Sequence, residues 1–362
     1  ADQAALARLN RVLHPGRIYI GQSLILPQAE SSSESETVGI RPHPVQPGEG
    51  VLQFAAAQSL NPWQLALSAD GGTRLWWSPG EWVMVPTGNQ ESIALPAPIT
   101  ELAVSPRQAA QGGTVVVRAG ISEPTELRGQ LADWQLSFME AQESERIALQ
   151  GVHAMIDPGL YELSIDWGDP EIPGSGFSQL YPVRTGNYSF DPILYVPEET
   201  VGPENTIPED ELFAEMIAPV TPEKHWQGPF GWPSDHFVEN FPSVFGTRRN
   251  YNNTGYNAYH TGLDFYGGIG VGILAPAPGE VVFSDDLVVR GKTTIIDHGW
   301  GVYSVYMHQS ESMVAAGDQV ETGQVIGLVG ASGRVTGAHL HWEIRVGGVP
   351  VQPLDWIEQG YP

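Results

Sequence analysis

The chain has 362 residues, too many for one ordinary domain and enough for two to four. Hydrophobic residues make up 41%, enough for packed cores, while a net charge of -25 with lysine only at 224 and 292 disfavours nucleic acid and anionic membrane surfaces as partners. Cysteine is absent, which excludes disulfides and thiolate metal sites, and no apolar run approaches the roughly 20 residues of a membrane span.

With 42 glycines and 30 prolines, the expected fold class is mainly β, built of short strands in several domains. The chain opens Ala-Asp-Gln rather than with Met, so a signal or anchor is expected upstream of Ala1.

Two early segments echo each other. Ile18-Tyr19-Ile20-Gly21-Gln22-Ser23-Leu24-Ile25-Leu26-Pro27 and Trp77-Ser78-Pro79-Gly80-Glu81-Trp82-Val83-Met84-Val85-Pro86 each place a Gly-polar turn before a short apolar strand. Both strands stop at proline, which cannot donate to a sheet ladder. Ahead of the second copy, Val51, Phe54, Ala55 and Gln58 have helical spacing over 51–60, and Asn61-Pro62 caps a further helix. This helix, helix, strand order resembles the lysin motif (LysM), a βααβ module. The resemblance implies binding to the N-acetylglucosamine chains of peptidoglycan or chitin. A partial module is expected over 1–28 and a second over 44–88. Between them the Ser/Glu-rich stretch 29–43 reads as a linker.

From 95 to 195 the pattern is one of short strands, such as Thr114-Val115-Val116-Val117 and the alternating Leu160-Tyr161-Glu162-Leu163 after an Asp-Pro-Gly turn. An immunoglobulin-like β-sandwich is expected there, acting as a spacer, with His153 a packed or surface residue. The stretch 196–225, rich in Pro and Glu, reads as an extended, solvated acidic linker with a short helix near Glu211–Met216.

The chemistry lies in 226–362. Five of the ten histidines fall between His260 and His341. His339-Leu340-His341-Trp342-Glu343-Ile344, taken as a strand, puts His339, His341 and Glu343 on one face and the apolar residues on the other. In His260-Thr261-Gly262-Leu263-Asp264 a bend at the glycine lets His260 and Asp264 converge. With His341 they make three protein ligands and leave a fourth tetrahedral position for water, the composition of a catalytic zinc site. No His-Glu-x-x-His run supplies a base, so His308 and His339 are the candidates for activating the water and stabilising the intermediate.

The stretch from Phe245 to Ile357 resembles the lysostaphin/LytM-type zinc endopeptidases. The shared pieces include Phe245-Gly246-Thr247-Arg248-Arg249, the His260/Asp264 pair, Ile296-Asp297-His298-Gly299, Tyr306-Met307-His308 and Gly337-Ala338-His339-Leu340-His341. The resemblance implies a duplicated antiparallel β-sheet with a narrow groove. It implies one Zn2+ on His260, Asp264 and His341, with His308 and His339 as catalytic histidines. It also implies hydrolysis of peptide bonds in the stem or cross-bridge of peptidoglycan, outside the cell at the wall or surface. A non-catalytic peptidoglycan-binding or hydrolase-activating module, or a structural surface protein, is the alternative. His298 reads as structural or supporting. Glu343 can bond within the sheet or to a ligand imidazole, Tyr256 and Tyr259 can line the groove or pack, and Arg248 and Arg249 can pair with carboxylates or meet substrate.

Overall fold

The computed structural model describes residues 39–47, selected positions between 49 and 87, and residues 98–167, 176–236 and 241–362. The half-module expected over 1–28 and most of the linker after it lie outside the described residues. The described chain is mainly β. It divides into two compact units, the first formed by Ala1–Thr100, Thr125–Ala132 and Tyr161–Tyr181, the second by Glu101–Pro124, Asp133–Leu160 and Pro182–Pro362.

In the first unit, strand Gly39–Pro44 runs antiparallel to Trp82–Thr87, with Gly39 opposite Thr87 and Pro44 opposite Trp82. Residues 39–43, read above as the end of a linker, are thus part of a strand. Between the two strands Val51, Phe54, Ala55 and Leu65 are helical and form one buried cluster, with Trp77 and Val83 packed against it. The same unit pairs Leu127–Leu131 with the strand reaching Trp167, where buried Leu163, Ile165 and Trp167 alternate as a half-buried strand requires.

The second unit opens with Thr114–Ile121 paired to Glu145–Gly151, which in turn pairs with Met139–Gln142. Its main element is a nine-stranded sheet. The strands run in the order Leu263–Tyr266, His339–Val346, Val302–Ser312, Gly291–Asp297, Gly279–Leu287 and Gln319–Val320, all antiparallel, with three further strands attached beside this path.

Cross-strand partners share a face, so the register assigns the two sides of the sheet. Leu263, Phe265, Leu340, Trp342, Ile344, Tyr306 and Val302 face one way, into the large core shared with Trp226, Phe230 and Trp356. Asp264, Tyr266, His339, His341, Glu343, Arg345, Met307, Val305 and Tyr303 face the other.

Residues 196–225 are not an extended solvated linker. Pro203–Ile217 is an α-helix that starts with proline at its first position and keeps a second, Pro208, inside. Its buried residues are Glu209, Phe213 and Ile217, a stripe at i, i+4 and i+8. Phe213 and Ile217 pack on Ile295, Tyr303, Val305 and Met307, on the second side of the sheet. Glu209 accepts from the backbone N–H groups of Val289 and Arg290 and from the Arg290 guanidinium, which also binds Asp210. Glu209 and Asp210 therefore anchor the helix, while Glu204, Glu211 and Glu215 stay exposed.

Candidate metal centre and flanking histidines

Asp264 and His341 are cross-strand partners, and His260 stands just before the Asp264 strand. Their donor atoms meet at one point. His260 Nε2 lies 2.9 Å from Asp264 Oδ1 and 2.9 Å from His341 Nδ1, and His341 Nδ1 lies 2.8 Å from Asp264 Oδ1. All three residues are buried, and together they form a group able to hold a metal ion.

The outer hydrogen bonds fix what these atoms present. His260 Nδ1 donates to the Val244 carbonyl at 3.0 Å, which leaves a lone pair on Nε2. His341 Nε2 donates to Glu343 Oε1 at 3.0 Å, which leaves Nδ1 facing inward. Two ring lone pairs and a carboxylate oxygen on one point make a cation site. Burial lowers the His341 pKa, but the Asp264 and Glu343 carboxylates outweigh burial and leave it raised. A divalent ion fits these donors.

Further bonds hold the ligands from behind. Burial alone would raise the Asp264 carboxyl, yet His260 and His341 hold it well below the usual carboxylate range. Its second oxygen lies 3.4 Å from an Arg249 guanidinium nitrogen, which also donates to Ser243 Oγ at 3.0 Å. Glu343 accepts from Thr261 Oγ1 at 2.5 Å and from Arg345 Nε at 2.7 Å, so it stays ionised against full burial. Replacing Glu343 by glutamine is expected to weaken metal affinity by about 10–100-fold while the fold persists. Competition against a chromogenic chelator measures this, and an unchanged affinity contradicts the role given to Glu343.

Gly262 has a purpose other than the predicted bend. Its φ is not in the left-handed region; instead a Cβ there would sit 2.3 Å from the Trp342 carbonyl oxygen and 2.9 Å from His341 Nε2. The glycine lets the ligand-bearing segments approach each other.

His308 and His339 stand beside this group, with ring centroids 5.1 Å apart and His308 6.0 Å from His341. His308 Nδ1 donates to the Ser332 carbonyl at 2.8 Å, and His339 Nδ1 to that of Gly337 at 2.9 Å, so each has its Nδ1 committed and turns to other partners through Nε2. His339 Nε2 lies 3.6 Å from Asp264 Oδ1. Burial, then the neighbouring His339 and His341, push the His308 pKa well below its ordinary value, so its ring is neutral near pH 7.

Strand alternation would aim His308 at the core side with Tyr306. A register shift opposite Lys292 and Thr294 interrupts the alternation, and His308 takes φ +61°. This bulge turns the imidazole onto the face that carries His339 and His341.

The residues left open above now have places. His298 is buried, with Nδ1 2.7 Å from the Pro278 carbonyl and Nε2 2.8 Å from Ser304 Oγ. His153 packs edge-on against Tyr259, and Tyr256 donates to the Asp191 carbonyl. Arg248 donates to the Ala154 carbonyl at 2.7 Å.

Burial pushes His298 down to about 4 from the 6.5 of an ordinary histidine. An unfolded chain therefore binds this proton at higher pH than the folded one, and stability falls as pH drops from 6.5 toward 4. His298 alone accounts for about 2 kcal/mol of loss by pH 5. Urea unfolding of the metal-free protein at pH 7 and pH 5 checks this; equal stabilities contradict it.

The mainly-β second unit thus carries a His/Asp/His group able to hold a metal ion, with His308 and His339 beside it. Residues 258–353 match Peptidase family M23, and the chain carries a domain of that family.

Among similar proteins, DD-carboxypeptidase/endopeptidase Mpg of Neisseria meningitidis is 41% identical over 95 residues, 26% of this chain and 22% of Mpg. Peptidoglycan DD-endopeptidase ShyA of Vibrio cholerae is 39% identical over 112 residues, 31% of this chain and 26% of ShyA. Murein hydrolase activator EnvC of Escherichia coli is 38% identical over 88 residues, 24% of this chain and 21% of EnvC. The matched segment thus spans about a quarter of these relatives' length. A crystal structure of a putative peptidase M23 from Pseudomonas aeruginosa superposes with a TM-score of 0.52 at 27% identity, covering 68% of this chain and 94% of that one.

Proposed function

We propose that the chain is a zinc-dependent endopeptidase that hydrolyses peptide bonds in the stem or cross-bridge of peptidoglycan. The observation that carries this is the meeting of His260 Nε2, Asp264 Oδ1 and His341 Nδ1 within 2.9 Å, with the Nε2 atoms of His308 and His339 alongside. A zinc ion held by these three residues supplies, at neutral pH, a bound water whose pKa is lowered to about 7.

The protein's own groups do the rest. His308, neutral and fixed by Ser332, is placed to take a proton through Nε2 and to return it to the leaving amine. His339, fixed by Gly337, is placed to donate to the oxygen on which charge develops. Arg249 and Glu343 keep Asp264 and His341 in position. The printed names of Mpg and ShyA support peptidoglycan as substrate.

The pairing of Gly39–Pro44 with Trp82–Thr87 around helical positions supports a LysM-like module. Such a module would hold the chain on glycan and raise the local concentration of peptide bonds at the metal site. This reading places the protein outside the cytoplasmic membrane, at the wall or cell surface.

EnvC, a murein hydrolase activator by name, raises the non-catalytic alternative. The complete ligand set and the two histidines beside it favour the enzyme. Incubating purified peptidoglycan with the zinc-loaded chain, with and without a chelator, tests this. Release of soluble peptide that stops on chelation and returns with zinc is expected; no release from intact wall by the loaded chain contradicts it.

A further inference from the structure

The face of the sheet that carries the metal group is exposed toward Tyr266 and buried at Glu343 on the other side, and beyond Glu343 a cavity is lined by Phe213, Arg290, Arg345 and Thr261. Asp264 and His341 mark its centre. One step along the strands comes the pair Tyr266 and His339, where Tyr266 is 47% exposed, and the turn beyond it carries Ile269 at 70%. One step the other way comes Glu343 opposite Val305, then Arg345 opposite Tyr303; Glu343 is 1% exposed and Val305 and Tyr303 are 0%.

The cover on that closed side is helix Pro203–Ile217. Phe213 packs on Tyr303, Val305 and Met307, while the guanidinium carbons of Arg290 and Arg345 lie 4.3 and 4.6 Å from its ring centroid. Glu209 ties the helix to the backbone of Val289 and Arg290, and the Tyr303 hydroxyl donates to the Pro219 carbonyl at 2.7 Å. The helix lies outside the segment 258–353 that matches the peptidase family.

We infer that this helix, through Phe213, is the end wall of the substrate groove, and that substrate runs out over Tyr266. The inference rests on the peptidase reading above. From His341 to Glu343 is one alternate step along a strand, about 6.6 Å, and an extended peptide covers that distance with about two residues. The closed side therefore takes about two substrate residues, whereas the open side has no such stop. Tyr266 offers a ring for an apolar side chain and a hydroxyl for a backbone group of the longer arm. It is a specificity-determining residue that acts through binding.

Two ladders of peptides test this, one lengthened to the N-terminal and one to the C-terminal side of the scissile bond. Hydrolysis is measured with the zinc-loaded full chain. Affinity for the same peptides is measured by fluorescence anisotropy with the zinc-loaded His308→Ala protein. One ladder is expected to level off after about two residues, while the other gains roughly tenfold in kcat/KM and affinity over the next few. Tyr266→Ala is expected to remove that gain by raising KM rather than lowering kcat. Phe213→Ala is expected to let the shorter ladder continue to gain; because Phe213 is buried, Tyr266→Ala on the exposed side is the variant that decides if the first fails to fold. Ladders that lengthen with equal benefit, or a Tyr266→Ala protein with an unchanged KM for long peptides, overturn the inference. Absence of cleavage with one-sided binding would instead count against the peptidase reading alone.

Discussion

Replacing His341 by alanine is expected to release the metal and to reduce hydrolysis to the level of the chelated protein. His341 Nδ1 is within 2.9 Å of both other ligand atoms, and His341 is the only ligand bonded to Glu343. Its removal leaves two ligands and an ionised Glu343 that has lost one of its three partners. The loss should exceed the roughly 10²–10⁴-fold that a single general base contributes, because nucleophile and charge stabilisation disappear together. Metal content by atomic emission, measured beside peptidoglycan turnover, checks both halves. A His341→Ala protein that keeps stoichiometric zinc contradicts the ligand assignment, and one that keeps its activity contradicts the role of the metal.

The second large effect separates binding of metal from use of it. His308→Ala is expected to lower kcat by about 10²–10⁴-fold while zinc stays bound with unchanged stoichiometry. His308 contributes no atom to the three-atom convergence; it meets the site through its free Nε2, its Nδ1 being committed to Ser332. Alanine keeps the Cβ at φ +61° and so relieves no strain there, and urea unfolding beside the kinetics separates any loss of stability from the loss of kcat. A rise in KM with kcat unchanged would assign His308 to substrate binding instead.

What could be read from the sequence followed from local spacing. Alternation makes it legible that His339 and His341 share a face, while their division is what the family resemblance implies; the register pairs Asp264 with His341 and sets His339 beside them. The position of His308 was not legible from alternation, which aims it at the core; only the bulge at Met307 and His308 brings it round. Helix Pro203–Ile217 was hidden for a different reason. Its inward stripe contains one acid, Glu209, and its interior contains Pro208, so composition points to a solvated linker. The partners that make the stripe worth burying, Arg290 and the Tyr303 to Met307 strand, come about 80 residues or more later in the chain. Arg249 was left open for the same reason, since its contacts with Asp191, Ser243 and Asp264 are set by the fold rather than by neighbours in sequence.

His260, Asp264, His341, His308 and His339 are expected together to hydrolyse a peptide bond of the wall. Mass spectrometry of peptidoglycan digested by the zinc-loaded chain tests it most directly. Fragments with intact sugar chains are expected, each cut adding one water and exposing one new amino terminus within the peptide, and none of these from the His308→Ala protein. Fragments cut within the sugar chain, or the same peptide products from the His308→Ala protein, would contradict it.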